Sequence, residues 1–476
     1  MTLPQATKKN TPVLIQNADI QQRYFQEQYR NEDIARLETY LTKAGTFRFN
    51  YLENGLFPAV GQAEDDDFSG YQHAWVRDNV HIAHAHFVWG AKHTAMKTAD
   101  ALMEFFTTQQ DRIRRVINDP SLAEDPMNRP HIRFNEHTLE MLEEKWAHAQ
   151  NDALGYFIWF YCKTAGQRAS GIDDSSLETL ALLTVYLQTI SYWKDRDSGH
   201  WEEERKICAS SIGAVVAGLR QMRKLCSEQD LYKRQPFSLH GINEQFLNHL
   251  EAKGTEALNK ILPYESIGSE TRRRYDAALL FLIYPLEVLS HDQSVQILTD
   301  VKSALQGELG IRRYLKDSYW CSNYREVFQQ GVRSNDFSDN LLQRDRYHQD
   351  GMEAQWCIFD SIISCIHGMR VLHHKGGAEE WNEQIRYLNR SLGQLTPNKK
   401  TGTLDTIFGW MKLRKQKEGC SGPLCPEAYF YEKGHLVPND NVPLQWAQAN
   451  LKMALYWLNQ STLARKNACP VTRGEE

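Results

Sequence analysis

The chain has 476 residues, of which 41% are hydrophobic, so it carries enough apolar material for a large core, and its composition excludes global disorder. The formal net charge of −5 is small for this length and shows none of the basic excess that nucleic-acid binding requires, so we expect no nucleic-acid partner. The longest apolar run, which begins at Ala277 and contains Pro285 and Glu287, is shorter than the roughly 20 residues that cross a bilayer, so we expect no membrane partner.

Cysteine usage and the amino terminus both bear on the compartment. Nine cysteines are scattered along the chain without a paired framework. The first residues, MTLPQATKKNTPVLIQN, lack the apolar core of a secretion signal. Both observations favour a reducing setting, and we predict a cytoplasmic protein. Cys420 and Cys425 flank a Gly-Pro turn. A disulfide, a metal site or two free thiols are the alternatives there, and a cytoplasmic setting favours the free thiols.

Helical periodicity dominates the predicted elements. Apolar residues recur at three- and four-residue steps from Asp19 to a stop at Gly45, and a short hairpin is expected around Asn54-Gly55. Further helices are predicted, in chain order, for TAMKTADALMEFFTTQQDRIRRVI, DALGYFIWFYCKTAG, SSLETLALLTVYLQTISYW, SSIGAVVAGLRQMRKLC, RRYDAALLFLIYPLEVL, DQSVQILTDVKSALQ, MEAQWCIFDSIISCIHGMRVLHH, EEWNEQIRYLNRSLGQL and NVPLQWAQANLKMALYWL. Few stretches read as strands.

The loops between the predicted helices are long and rich in chemically active residues. No linker or low-complexity segment interrupts the helices, and long loops on a regular scaffold are where function usually lies. A closed ring of helical hairpins uses about a dozen helices and presents its loops at one end. We therefore predict an all-α fold, an (α/α)6 barrel.

Two of these loops carry candidate catalytic carboxylates. GHWEEERK places Trp201 directly ahead of Glu202, Glu203 and Glu204, and GPLCPEAYFY supplies Glu427. Two carboxyl groups in different environments are the minimum equipment for glycosidic-bond hydrolysis, and an inverting mechanism separates them by ~6.5–9.5 Å. The apolar wall of Trp201 and the charge of Glu203 are both expected to raise the pKa of Glu202. The alternative is a solvated acidic loop without catalytic use.

Other sequence signals argue against bound metal or cofactor. His81, His84 and His86 fall in one helix-like run, but only His81 and His84 share a face, and no acidic third ligand accompanies them. No phosphate-binding Gly-rich loop and no Gly-x-Ser-x-Gly elbow is present in the sequence. We expect no metal, no cofactor and no serine-hydrolase chemistry.

Six segments, in order, carry a family resemblance that runs from about Gly45 to Trp457. They are YQHAWVRDNVHIA, AQNDALGYFIWF, GHWEEERK with ASSIGAVVAGL, GIRRYLKDSYW, MEAQWCIFD and PEAYFYEKGHLVPNDNVPLQWAQANLKMAL. Together they resemble glycoside hydrolase family 15, the glucoamylases. Their motifs resemble most the related amino-terminal domains of phosphorylase kinase alpha and beta subunits. The resemblance implies a helical segment over 1–44, a catalytic barrel over 45–460 and a tail over 461–476.

The resemblance also implies roles for individual residues. Glu202 would be the general acid and Glu427 the general base. The sugar pocket would be formed by hydroxyl-binding residues Arg77, Asp78, Asn151, Asp152 and Arg313, by stacking walls Trp75, Trp201 and Trp356, and by Glu203 as a further sugar contact. The kinase-like relatives lack a second Glu at this last position, which sets Glu203 apart.

Two functions follow from the resemblance. The first is an inverting, exo-acting hydrolase that releases glucose from α-glucosides or α-glucans. The alternative is a glucan-sensing regulatory module of the phosphorylase kinase type, weakly catalytic or without turnover. The expected partner in both is an α-linked glucose oligosaccharide. Maltodextrin, isomaltose-type and trehalose substrates all stay open, and no oligomeric state is assigned.

Overall fold

The computed structural model describes residues 14–61, 71, 73–267, 272–373, 377–398 and 422–468. Cys425 is a buried free cysteine. Its predicted neighbour Cys420 lies outside the described residues, as does 469–476 of the predicted tail. In the part of the chain that the structure describes, no helix combines the length and the apolar character needed to span a bilayer.

Helices account for most of the described chain. They are α1 (Ala18–Tyr24), α2 (Asn31–Lys43), α3 (Val76–Val88), α4 (Lys92–Thr108), α5 (Gln110–Asn118), α6 (Asn151–Ala165), α7 (Asp174–Thr189), α8 (Ala209–Gln229), α9 (Gln235–Leu239), α10 (Glu244–Ile261), α11 (Leu280–Ile283), α12 (His291–Ala304), α13 (Tyr324–Val327), α14 (Leu341–Asp345), α15 (Phe359–His373), α16 (Ala378–Gly393) and α17 (Gln445–Ala468).

Six of these helices form a closed inner ring. In ring order they are α3, α6, α8, α11, α15 and α17, each packed on the next, and α17 returns to α3. Outer helices cover them: α4 packs on α3, α10 on α8, α12 on α11, α16 on α15 and α2 on α17, while α7 lies against α4 and α5. The fold is an (α/α)6 barrel, which confirms the prediction made from helical periodicity.

The inner helices are largely buried, because they lie between the centre of the barrel and the outer helices. In α6 every residue except Lys163 is buried. The crossing of α6 with α8 depends on small residues, because a Cβ on Gly155 would overlap the backbone of Ala214 and one on Gly218 would lie 2.9 Å from the Gly155 carbonyl oxygen. This close crossing brings the amino-terminal ends of both helices together.

The amino-terminal helices are integrated with the barrel. Helix α1 packs on α16, and α2 packs on α17. Helix α17 continues without interruption across residue 460, where a boundary was predicted. The division into 1–44, 45–460 and 461–476 stays a prediction.

One predicted helix is much shorter than its sequence pattern indicates. In RRYDAALLFLIYPLEVL only a 3-10 turn at Ala277–Leu279 and the single-turn α11 are helical. Asp276 caps the turn by accepting the backbone N–H of Ala278 at 2.9 Å. Pro285 has no N–H to continue the ladder, and Glu287 has a left-handed φ of 51°, so the chain after α11 is not helical, although Tyr284, Pro285 and Leu286 are buried.

The expected hairpin is present only as a turn. Gly55 has a φ of 99°, which suits the turn, but no strand flanks it. The backbone N–H of Asn50 donates instead to Gln445 at 2.7 Å, and that of Phe57 donates to Asn79 at 2.8 Å. Polar side chains of the barrel therefore bind the backbone groups that a hairpin ladder would have paired.

Short strands lie at one end of the barrel in the described chain. They are β1 (Ala74–Trp75), β2 (Arg133–Phe134), β3 (Ser266–Ile267), β4 (Arg272–Arg273), β5 (Gln355–Trp356), β6 (Ala428–Glu432) and β7 (His435–Pro438). All pairs are antiparallel: β1 with β2, β3 with β4, and a three-stranded sheet in the order β5-β6-β7. Strand β1 leads into α3, β5 precedes α15, and β7 precedes α17, so the strands border the amino-terminal ends of inner helices.

Candidate active site

The predicted site residues lie at the amino-terminal ends of inner helices. Outer helices return the chain between inner ones, so the inner helices run in one direction and their amino-terminal ends surround a single mouth. Grouped by element, they are Trp75, Arg77 and Asp78 at α3; Asn151 and Asp152 at α6; Trp201, Glu202 and Glu203 before α8; Arg313 and Trp356 before α15; and Glu427 before α17.

Arg77 connects three of these segments. Its Nε donates to Asp152 at 2.7 Å, and its Nη2 donates to the carbonyl of Gly199 at 3.1 Å. Nη2 also donates to Gln150, whose own Nε2 donates to Glu202 at 3.1 Å. Arg77 is therefore linked to the candidate acid through Gln150, a residue of the predicted Gln-Asn-Asp segment that we did not single out from the sequence.

Asn151 and Asp152, which follow Gln150, bind neighbouring side chains at the start of α6. The backbone N–H of Asn151 donates to Asp197 at 2.9 Å, and its side-chain amide donates to Asp195 at 2.8 Å. Asp152 is fully buried and holds Arg77. Both side chains were expected to line the sugar pocket. Their contacts fix the start of α6 and the orientation of Arg77, and their place in a sugar pocket stays a prediction.

Two tryptophans and an arginine of the predicted site pack together. The rings of Trp201 and Trp356 lie 5.9 Å apart between centroids. The Arg313 guanidinium lies 5.1 Å from the first ring centroid and 4.9 Å from the second, within the range of cation–π attraction. Asp317 accepts two hydrogen bonds from Arg313, at 2.6 and 2.7 Å, which fixes the plane of the guanidinium. The structure thus brings these three predicted residues together.

Glu427 is buried and held by neutral donors. It accepts hydrogen bonds from the Tyr71 hydroxyl at 2.8 Å, from the Asn441 amide at 2.7 Å and from the Asn439 amide. Tyr71 also packs against Trp75, with ring centroids 5.3 Å apart. The two asparagines belong to the VPNDNVP turn after β7, whose amide-rich composition is the signal that identifies them in the sequence. Tyr71 carries no such signal.

Glu203 is held by side chains of the protein. Its carboxylate is buried and accepts hydrogen bonds from Arg273 at 2.6 and 3.0 Å, from Lys206 at 2.7 Å and from the Tyr314 hydroxyl. These four donors leave little acceptor capacity for a sugar hydroxyl. A contact between Glu203 and substrate stays a prediction.

The histidines of α3 belong to the core. His81 stacks on Trp446 with ring centroids 4.4 Å apart, and His84 lies 4.9 Å from Trp159. Among the residues that the structure describes, no group of three His, Cys, Asp or Glu side chains is arranged to hold a metal ion.

The match to a family model is decisive for identity. The model described as "Glycosyl hydrolases family 15" matches residues 35–447, most of the chain. The chain belongs to glycosyl hydrolases family 15. This assignment agrees with the resemblance carried by the six sequence segments.

This family 15 chain is similar in sequence to a protein named as a regulatory subunit and similar in fold to solved glycosidases. The "Probable phosphorylase b kinase regulatory subunit alpha" of Caenorhabditis elegans is 27% identical over 332 residues, which cover 62% of this chain and 24% of the relative. The chain thus spans about a quarter of that relative's length. A solved glycosidase in complex with glucose has a TM-score of 0.62 at 14% identity, covering 90% of this chain and 99% of the other. A bacterial glucoamylase complexed with acarbose has a TM-score of 0.55 at 13% identity, covering 89% and 55%. These two structures show the fold.

Asp78 of the family 15 site lies within the electrostatic influence of both candidate catalytic residues. Burial raises the pKa of Asp78 to about 7; Arg77 acts to lower it, and the charges of Glu202 and Glu427 act to raise it. A single carboxyl group at the start of α3 therefore senses both glutamates, which come from loops more than two hundred positions apart in the sequence. Asp78 is therefore close enough to both glutamates for their charges to act on it.

The two candidate catalytic carboxyl groups have different surroundings. Burial raises the pKa of Glu202, Arg77 and Gln150 oppose that rise, and the carboxylate of Asp336 reinforces it. Burial also raises the pKa of Glu427, but its amide and hydroxyl donors stabilise the anion and oppose the rise. Hydrogen bonds to the charged form favour ionisation, so Glu427 is the better placed of the two to stay ionised.

The anion expected to raise the pKa of Glu202 was Glu203. Burial acts to raise the pKa of Glu203 itself, but Arg273 and Lys206 outweigh burial and hold that pKa well below its usual range. Its negative charge is thus compensated by two neighbouring cations. Asp336, on the long segment before α14, is the carboxylate that contributes to the raised pKa of Glu202. No pattern in the sequence singled it out.

Replacing Asp336 by Asn is expected to move the alkaline limb of the activity–pH profile to lower pH. A general acid works only while protonated, and removing a nearby negative charge lowers the pKa of Glu202. The measurement is kcat/KM against pH for the wild type and the variant. Glu204→Gln is the matched control, because Glu204 is exposed. An unmoved alkaline limb in the Asp336→Asn variant would contradict the prediction.

Proposed function

We propose that this protein is an inverting, exo-acting glycoside hydrolase that releases glucose from α-glucosides or α-glucans. Glu202 is the general acid that protonates the glycosidic oxygen, and Glu427 is the general base that takes a proton from the attacking water. Asp78 and Arg77 bind hydroxyl groups of the terminal glucose, and Trp201, Trp356 and Trp75 form the walls of its pocket.

The observation that carries the proposal is the contrast between the two carboxyl groups. Glu427 accepts hydrogen bonds from three neutral donors, which supports an ionised base. Glu202 accepts one hydrogen bond from Gln150, and burial, with a further contribution from Asp336, raises its pKa against the opposing charge of Arg77, which supports a protonated acid. Environments that push the pKa values of two carboxyl groups apart are typical of acid–base pairs.

The chemistry of an inverting reaction sets a geometric requirement. A water molecule must fit between the base and the sugar, so we expect the carboxyl groups of Glu202 and Glu427 to lie ~6.5–9.5 Å apart in a crystal structure with bound glucose. The solved relatives bind glucose and acarbose, as their names state, and we extend that ligand class to this chain.

A regulatory function is the second candidate, and the curated relative favours it. That relative is named as a regulatory subunit of phosphorylase b kinase, and this chain covers 24% of it. In this alternative the same mouth binds an α-glucan without turning it over. Both candidate catalytic positions carry Glu in this chain, which favours the hydrolase.

The purified protein is expected to hydrolyse at least one member of a panel of maltose, isomaltose and trehalose. Because an inverting mechanism delivers water to the face opposite the leaving group, β-glucose should appear first and convert to the anomeric mixture. Time-resolved proton NMR of the anomeric region measures this order directly. First appearance of α-glucose would contradict the inverting mechanism.

The same panel separates the two functions. Binding of a maltooligosaccharide in calorimetry without glucose release would favour the regulatory module over the hydrolase. If the protein neither binds the maltooligosaccharide nor releases glucose, both functions are contradicted.

A further inference from the structure

The backbone at the candidate acid has an unusual conformation. Glu202 ends a short 3-10 turn with φ 56° and ψ 45°, in the left-handed region that side-chain-bearing residues rarely adopt. For a non-glycine residue this conformation is energetically unfavourable and persists only where the surroundings impose it. The hydrogen bond from its own N–H is long, at 3.4 Å to the Gly199 carbonyl. The constraint must therefore come from neighbouring residues.

Both sequence neighbours of Glu202 are anchored by their side chains. On the amino-terminal side, the indole Nε1 of Trp201 donates to Asp276 at 2.9 Å. On the carboxyl-terminal side, Glu203 is held by Arg273, Lys206 and Tyr314. The residue between these anchors has little freedom to rotate.

The two anchors meet at one guanidinium group. Arg273 donates to the two carboxylate oxygens of Glu203 at 2.6 and 3.0 Å, and its Nη1 also donates to Asp276 at 3.2 Å. Its Cζ atom lies 3.5 Å from the ring centroid of Tyr314, whose hydroxyl donates to the same glutamate. A planar fork is required to bridge two carboxylates and stack on a ring, and arginine alone provides one.

The acceptor capacity of Glu203 is used up in this arrangement. An ionised carboxylate offers about four lone-pair sites. Arg273 and Tyr314 donate to Oε1, while Arg273 and Lys206 donate to Oε2. A sugar hydroxyl finds no acceptor left on Glu203, so the charge on this side chain serves the protein itself.

We propose that Arg273 is a positioning residue that holds the general acid in its working conformation. It does so by clamping Glu203 on one side of Glu202 and, through Asp276, Trp201 on the other. The inference rests on the proposed function, in which Glu202 is the acid. It assigns Glu203 a purpose, which is to provide the carboxylate that Arg273 binds beside Glu202.

The clamp is tested by varying the leaving group. A sugar leaving as an alkoxide needs a proton from the acid, whereas fluoride leaves with little such help, so loss of acid positioning is selective for sugars. In Arg273→Lys, kcat on the disaccharide turned over fastest is expected to fall about 10²-fold, since displacement of a catalytic group by about 1 Å has effects of this size. With α-glucosyl fluoride kcat should change by less than about threefold. KM should change little for either substrate.

Matched variants separate positioning from general damage. Arg274→Lys is the control, because the Arg274 guanidinium pairs with Asp300, at 3.0 and 3.2 Å, and not with Glu203 or Asp276. Tyr314→Phe removes one donor to Glu203 and retains the ring under Arg273. It is expected to show a smaller loss with the same dependence on leaving group, and it tests the clamp if Arg273→Lys folds poorly.

Three results would overturn the proposal. One is an equal fall of kcat on the disaccharide and on the fluoride, and another is no fall on either. The third is a crystal structure of Arg273→Lys in which Glu202 keeps φ near 56° and its contact with Gln150. This structural comparison does not depend on turnover. If the wild type turns over none of the substrates, the proposed hydrolase function is contradicted. The crystal structure of Arg273→Lys still tests whether Arg273 holds Glu202 in its conformation.

Discussion

Replacing Glu202 by Gln is expected to lower kcat on a disaccharide by about 10²–10⁴-fold, and replacing Glu427 by Gln is expected to have an effect of the same size. Glutamine keeps the shape of the side chain but neither donates an acidic proton nor accepts one from water. Steady-state kinetics gives kcat, and calorimetry with a maltooligosaccharide gives binding, which should change little. The exposed Glu204→Gln variant is the control and should retain wild-type kcat.

The two losses should differ when the leaving group is changed. With α-glucosyl fluoride the Glu202→Gln variant is expected to recover much of its activity, because fluoride departs without a strong acid. The Glu427→Gln variant should stay inactive, because water still needs a base. Full activity of either variant on a disaccharide would assign that residue a structural role. Recovery of Glu427→Gln with the fluoride would exchange the two roles.

Replacing Arg77 by Met is expected to destabilise the folded state by about 3–5 kcal/mol, the usual cost of removing one partner of a buried ion pair. Asp152 is fully buried and accepts from Arg77 at 2.7 Å, so the variant leaves a buried charge without its cation. The midpoint of urea unfolding measures the loss. Adding Asp152→Asn to the variant should restore part of the stability, since it removes the unpaired charge.

A surface ion pair provides the comparison for Arg77. Arg114 is 41% exposed and pairs with Glu178 at 2.9 Å. Exposed pairs contribute about 0–1 kcal/mol, so Arg114→Met should shift the urea midpoint far less than Arg77→Met. Equal shifts for the two variants would show that Arg77 does not depend on a buried partner.

The helices of the barrel were accessible to sequence reasoning, and the exceptions have local causes. Periodic apolar positions predicted α6 and α15 because each helix must bury its faces against both the ring and the outer layer. The apolar run from Ala277 misled the prediction, because Pro285 ends the ladder, and the buried residues Tyr284 to Leu286 lie outside the helix. Periodicity reports burial, and it does not distinguish a helix from a buried irregular segment of the same length.

The sequence by itself determined the helical fold and the loops that border the mouth, because periodicity and motif order are properties of neighbouring residues. Only the tertiary structure decided which carboxylate faces which partner. Glu203 stands beside Glu202 in the chain, yet it pairs with Arg273, 70 positions away. Charge pairing depends on distance in space and on the exclusion of water, and both are set by how the inner helices bring distant loops together.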